Sequence, residues 1–372
     1  MSTSHNTKVA FIGTGIMGAA IAGHILDAGF DLTVYNRTRE KAEGLLARGA
    51  HWAESPAAAA EGADVVFTMV GYPTDVEDVY LASDGILRTA KKGAYLIDLT
   101  TSSPELARDI YAASESGDIH AFDCPVTGGQ AGAEAGTLTL IMGATEKTVA
   151  PVLPILQTFG KKFFYFDEPG AGQTAKLCNQ VSLASCMVGY ADALALAELG
   201  HLDGEKVLEL MASGTGGSGA ATSLAPKSLD GDYKPGFMAE HLRKDIALAV
   251  TTAQDGELAL PGAETAFALF DTLCQVGGKR MGTQALTLLY AEEGDAAAAG
   301  LDWSLLEANG GGCCCGGADD CDGEGGCGCG GHGHGEDHEC CGGHGHDDGH
   351  ECCGGHGHEH GEGHHCCCHE EA

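Results

Sequence analysis

Lys176, Asn179 and Gln180, in the segment GAGQTAKLCNQ, place an ammonium group and two amides within about one turn of a helix. An ammonium can donate a proton to an oxygen within hydrogen-bond reach and stabilise charge there, while neighbouring amides orient what is bound. Helical spacing puts Lys176 and Asn179 on one face, with Gln180 one position round. The bland alternative is a solvated lysine near a helix start. Thr127, Gly128 and Gly129, in PVTGGQAG, offer a hydroxyl and bare backbone N–H groups, a small nest for a carboxylate. Gly13, Gly15 and Gly18, with Ile16 and Met17 between them, read GxGxxG, which lets the backbone close on a pyrophosphate at a helix N-terminus. Asn36, Arg37 and Thr38 stand where a site for NAD offers a carboxylate to the adenosine ribose. Arg37 suits a 2′-phosphate instead, with Asn36 and Thr38 adding neutral bonds, so NADP is the expected cofactor and NAD a possible one.

These residues need elements to hold them. Residues 8–12 form a short apolar strand, 16–28 have helical spacing and 30–35 make a second strand, so the glycines lie in a complete strand, turn, helix, strand unit. Further strands in ADVVFTMV, AYLIDL and IHAFDCPV alternate with helical stretches, which implies a mostly parallel sheet covered on both faces. Val70, after the third strand, should skirt the cofactor; Thr100, ending the fourth, either touches its nicotinamide half or caps the next helix. From Gly172 to Gly189 no glycine or proline intervenes, and residues 170–200 read as one helix up to ~45 Å long. Beyond it, 205–212, 238–255, 264–275 and 284–293 read as helices. The expected class is α/β: a Rossmann-type dinucleotide domain over 1–167, an all-helical domain over 168–308 and a disordered tail over 309–372.

Asp123, Pro125, Thr127, Gly128, Gly129, Ala133, Gly136 and Leu138 complete the pattern DxPVxGGxxxAxxGxL, and Gly170 to Lys176 read GxGxxxK. With these motifs, residues 8 to 295 or so resemble the beta-hydroxyacid dehydrogenase family, which includes 3-hydroxyisobutyrate dehydrogenase and 2-hydroxy-3-oxopropionate reductase. The resemblance implies that substrate lies between the two domains, with its carboxylate held by Thr127, Gly128 and Gly129. It implies Lys176 as catalytic acid or base, Asn179 as the polar residue that orients substrate, and Gln180 as a second candidate. In GFMAEHLRKDIALA it implies that Phe237 closes over the cofactor or substrate and that Lys244, with Asp245, holds the domains together. The segment GGKRMGTQ departs from the commonest family pattern, leaving the substrate open; Thr283 and Gln284 there either bond to substrate or hold a helix start.

The 372 residues carry 53 acidic against 20 basic side chains, a net charge of -33, which argues against nucleic acid or anionic membrane as partner. A small carboxylate is the expected partner, with a homodimer or homotetramer suggested by the apolar girth of the long helix. MSTSHNTK leads straight into a strand without an apolar leader, so a cytoplasmic location is expected. Four of the 17 cysteines, Cys124, Cys178, Cys186 and Cys274, lie among apolar neighbours and read as buried thiols. The other 13 belong to residues 309–372, which hold 22 Gly, 12 His and 14 acidic residues and cannot build an apolar core. There Cys313, Cys314, Cys315, Cys340, Cys341, Cys352, Cys353, Cys366, Cys367 and Cys368 supply thiolates. His332, His334, His344, His346, His356 and His358 supply imidazoles. Such donors suit zinc or nickel, without a spacing that defines one tetrahedral site. The alternatives to a dehydrogenase with a metal-binding tail are metal storage or delivery on a dehydrogenase-derived body, and imine reduction. Lys176 argues against the latter.

Overall fold

The structure is a computed structural model that describes residues 7–306, of which those up to Asp302 form one compact unit. The tail cysteines and histidines named above lie outside the described residues. Six parallel strands make the main sheet: β1 (Lys8–Ile12), β2 (Asp31–Tyr35), β3 (His51–Trp52), β4 (Val65–Thr68), β5 (Tyr95–Asp98) and β6 (His120–Asp123). Their order is β3-β2-β1-β4-β5-β6, so the chain reverses its direction of travel across the sheet between β1 and β4. That switch opens a crevice at the strand ends, where ligands of such sheets bind. Apolar strands pack on both faces: Val9, Phe11 and Phe67 face one core, Ala10, Ile12 and Val66 the other.

A second, three-stranded sheet follows, with β7 (Val126–Thr127) antiparallel to β8 (Leu138–Met142) and β8 parallel to β9 (Gly160–Tyr165). The sequence suggested one strand running through IHAFDCPV; the chain instead leaves the main sheet after Asp123 and starts the second at Val126. Thr127 therefore ends a strand, and the short helix Gly129–Glu134 begins beside it. His24 of the first helix, Ile16–Asp27, fixes that short helix from behind. Its Nε2–H points at the carbonyls of Ala133 and Glu134, both at 3.0 Å.

The long helix spans Ala171–Leu199 and opens the helical part, packing against Ala239–Asp255 and Pro261–Gln275. Gly170 precedes it in the left-handed region at φ 80. The expected helix over 284–293 is different: Thr283–Leu289 is 3-10, and an α-helix resumes at Glu293–Ala298. Gln284 explains the change, because its buried Nε2 donates to the carbonyls of Asp232 (2.8 Å) and Lys234 (3.0 Å) and pins the turn to that loop. Of the four body cysteines, Cys124 and Cys274 are buried. Cys178 is exposed, since the outer face of the long helix meets solvent there.

Candidate active site

Asp123 creates the start of the long helix. Its carboxylate accepts from the N–H groups of Gly170 (2.8 Å) and Gln173 (2.7 Å), filling donors that a helix N-terminus leaves unpaired. A Cβ on Gly172 would stand 2.7 Å from that carboxylate and 2.6 Å from the Ile141 carbonyl, so this approach needs glycine. Burial raises the Asp123 pKa, opposed by the same backbone N–H bonds.

One turn on, Lys176 is only 6% exposed, and burial lowers its pKa to about 8; Asp245 opposes the shift and Lys244 adds to it. Its Nζ donates to Gln180 Oε1 at 2.9 Å. Gln180 Nε2 donates to Asp245 Oδ2 at 2.6 Å, and Asp245 Oδ1 pairs with Lys244 Nζ at 3.0 Å. Lys244 also donates to the carbonyl of Thr101. This chain of contacts runs from the long helix through Ala239–Asp255 to the loop after β5. Geometry gives the place beside Lys176 to buried Gln180, four residues on, while Asn179 is exposed and donates to Gln180 Oε1 at 2.9 Å.

The dinucleotide turn follows β1. Gly13 lies at φ +98, and a Cβ there would be 2.1 Å from the Met69 carbonyl. A Cβ on Gly15 would meet nothing within 4 Å, which leaves room for a pyrophosphate at the N-terminus of Ile16–Asp27. Ile16 is exposed and Met17 half-buried there, while Gly18 packs against Gly13. Thr14 N–H donates to Asn36 Oδ1 at 2.9 Å, and Asn36 Nδ2 donates to the Thr38 carbonyl at 2.8 Å. The buried Thr14 hydroxyl has no hydrogen-bond partner among the described residues. These features fit a dinucleotide. Arg37, with its side chain 86% exposed, pairs with Asp75 Oδ1 at 3.2 Å.

Thr100 does not cap the following helix; Ser103 does, accepting from the N–H groups of Glu105 (3.1 Å) and Leu106 (3.3 Å). The Thr100 hydroxyl accepts from Val70 N–H at 3.0 Å, joining the loops after β4 and β5. Asp98 lies beneath them, accepting from Thr68 Oγ1 (2.7 Å) and Thr100 N–H (3.1 Å), and burial raises its pKa to about 6. Gly128 and Gly129 adopt φ 133 and 62 beside half-buried Thr127, and a Cβ on Gly129 would lie 3.7 Å from the Gly236 carbonyl. Phe237, next in the chain, therefore comes close to this nest, its ring centroid 6.3 Å from that of His241. His241 also lies 6.4 Å from the Tyr72 ring. The sequence placed Tyr72 only within the stretch 70–73 expected to skirt the cofactor, and gave His241 no role; Tyr72 directly precedes the helix-starting Pro73.

Residues 8–166 match the model of the NAD binding domain of 6-phosphogluconate dehydrogenase, and 170–290 that of the NAD-binding domain of NADP-dependent 3-hydroxyisobutyrate dehydrogenase. The uncharacterized oxidoreductase YkwC of Bacillus subtilis is 41% identical over 284 residues, 76% of this chain and 99% of the relative. A probable 3-hydroxyisobutyrate dehydrogenase-like protein of Arabidopsis thaliana is 41% identical over 287 residues, 77% of this chain and 86% of the relative. Among solved structures, Mycobacterium tuberculosis 3-hydroxyisobutyrate dehydrogenase with L-serine superposes with a TM-score of 0.72 at 28% identity, covering 77% of this chain and 99% of that one. Imine reductases share the fold, at 21% identity for the Streptomyces aurantiacus enzyme. The fold and site define an NAD(P)-dependent oxidoreductase. The chain belongs to the beta-hydroxyacid dehydrogenase family.

Proposed function

We propose that this chain is an NADP-preferring enzyme that moves a hydride between nicotinamide and a small beta-hydroxy acid or its semialdehyde. The observation that carries this reading is Lys176, a buried ammonium held by Gln180 one turn into the long helix, whose start is fixed by Asp123. When bound, the nicotinamide supplies or accepts the hydride. Lys176 gives its proton to the carbonyl oxygen during reduction and takes the hydroxyl proton during oxidation. Thr127, Gly128 and Gly129 hold the carboxylate, Asn179 and Gln180 orient the reacting end, and Phe237 closes over it. Arg37, Asn36 and Thr38 receive the 2′-phosphate, and Lys244 keeps the helical wall against the cofactor loop. Lys176 in the proton-transfer position argues against imine reduction, and an intact site of this kind speaks against metal storage or delivery as the sole function.

We infer further that the tail binds several zinc or nickel ions without taking part in the hydride chemistry. A cytoplasmic location remains the expectation. A panel of small hydroxy acids and semialdehydes, with L-serine included because the Mycobacterium tuberculosis relative was solved with it, tests the catalytic reading. NADPH-dependent reduction of at least one carboxylate-bearing semialdehyde is expected, with a raised KM in Thr127→Val. Activity confined to imines, or an unchanged KM in that variant, would contradict it.

A further inference from the structure

Gln173 is fully buried one turn before Lys176, and the chemistry above gives its side chain no task. Its Oε1 accepts from Ser102 N–H at 2.9 Å, and its Nε2 donates to the Thr100 carbonyl at 2.7 Å. The amide thus meets the loop after β5 as a neighbouring peptide group would, presenting an acceptor and a donor to residues two apart. Its own backbone N–H is held by Asp123, so side chain and helix start are fixed together.

The same loop is gripped elsewhere. Thr100 N–H binds Asp98, the Thr100 hydroxyl accepts from Val70 N–H, and the Thr101 carbonyl accepts from Lys244. Those contacts tie it to β5, to the loop after β4 and to Ala239–Asp255. Gln173 ties it to the helix that carries Lys176. We propose that Gln173 is a positioning residue that sets the distance between this cofactor-side loop and Lys176, so that hydride and proton transfer share one geometry. The inference rests on the reading of Lys176 as proton donor. Small errors in such distances matter, since about 1 Å of misplacement can cost ~100-fold in rate.

The test compares the full chain with Gln173→Leu, which keeps volume without polarity, and Gln173→Glu, which keeps the acceptor but turns an oxygen toward the Thr100 carbonyl. Amide exchange over 100–102 in the free protein, NADPH binding by fluorescence, and single-turnover transfer from NADPH and its 4-deuterated form are measured for each. Both variants are expected to exchange faster and bind NADPH within ~3-fold of the parent. Both should transfer hydride ~10-fold or more slowly, with a changed isotope effect. Transfer within ~2-fold of the parent despite faster exchange would overturn the proposal. So would a loss of rate matched by equal loss of NADPH binding or of folded protein, because a merely structural role predicts that. Failure of the Lys176 reading is distinct: it appears as a Lys176→Ala chain that turns over within ~3-fold of the parent, whereas unchanged exchange over 100–102 in both Gln173 variants overturns the Gln173 proposal by itself.

Discussion

At the scale of residues, Lys176 carries its charge where water is nearly excluded, and its lowered pKa of about 8 records the cost. Because the folded value lies below the unfolded one, the unfolded chain binds more protons between them. This group's contribution to stability therefore rises with pH across that window. At pH 7 the buried charge destabilises the fold, and Lys176→Met is expected to keep or raise Tm in a thermal melt; a fall of many degrees would show that the lysine stabilises the fold. With Lys176 in its proposed role, carbonyl reduction should decline above pH 8 or so, and oxidation should climb toward that value and then level off. Arg37→Ala should weaken NADPH far more than NADH in parallel titrations, since only the former loses a phosphate partner. Equal losses would remove the assigned preference. Residue type and spacing singled out Lys176, the paired glycines and Arg37, and the structure buries Lys176 and puts both glycines at positive φ. The division of labour between Asn179 and Gln180 was not, because it depends on how the helix is rotated toward Asp245.

At the scale of elements, Asp123 and Asp98 end neighbouring strands and turn their carboxylates to different tasks, one to the long helix and one to the loop after β5. Asp98 has its pKa raised to about 6 by burial, so the folded chain binds more protons than the unfolded one between roughly pH 4 and 6. Its stabilising contribution is therefore present at the acid end and lost as pH rises through about 6. Asp98→Asn should flatten that part of the profile in urea unfolding measured at pH 4.5 and 7; an unchanged slope would contradict the assignment. The strands of the main sheet and the long helix could be read from apolar runs and the absence of breakers. Where the chain passes from the main sheet to the second was hidden because β7 is only two residues long, below any usable period. The 3-10 stretch Thr283–Leu289 was also hidden, because distant carbonyls bonded to Gln284 shape it.

At the scale of the whole molecule, Leu196, Leu199, Leu202 and Leu210 leave large apolar side chains in water around the end of the long helix, Leu199 at 77% exposure. We propose that this region buries itself in a homodimer or homotetramer. Light scattering should report more than one chain per particle, and Leu199→Lys should lower that number. The tail forms a chemistry of its own in the sequence, and a chain ending at Ala308 is expected to fold and bind NADPH as the full chain does. The full chain should take up several zinc or nickel ions, more tightly as pH rises from about 5 to 8 and imidazoles and thiols give up protons. Hydride transfer should not need those ions, because the proposed role of Lys176 already provides the proton and the charge. The most direct test is the chemistry-limited rate of NADPH oxidation in chelator-treated full chain and in its Lys176→Ala variant. The parent rate should survive chelation, and the variant should bind NADPH normally yet turn over ~100-fold or more slowly. A variant within ~3-fold of the parent, or a parent that regains its rate only with metal, would contradict the assignment of proton transfer to Lys176.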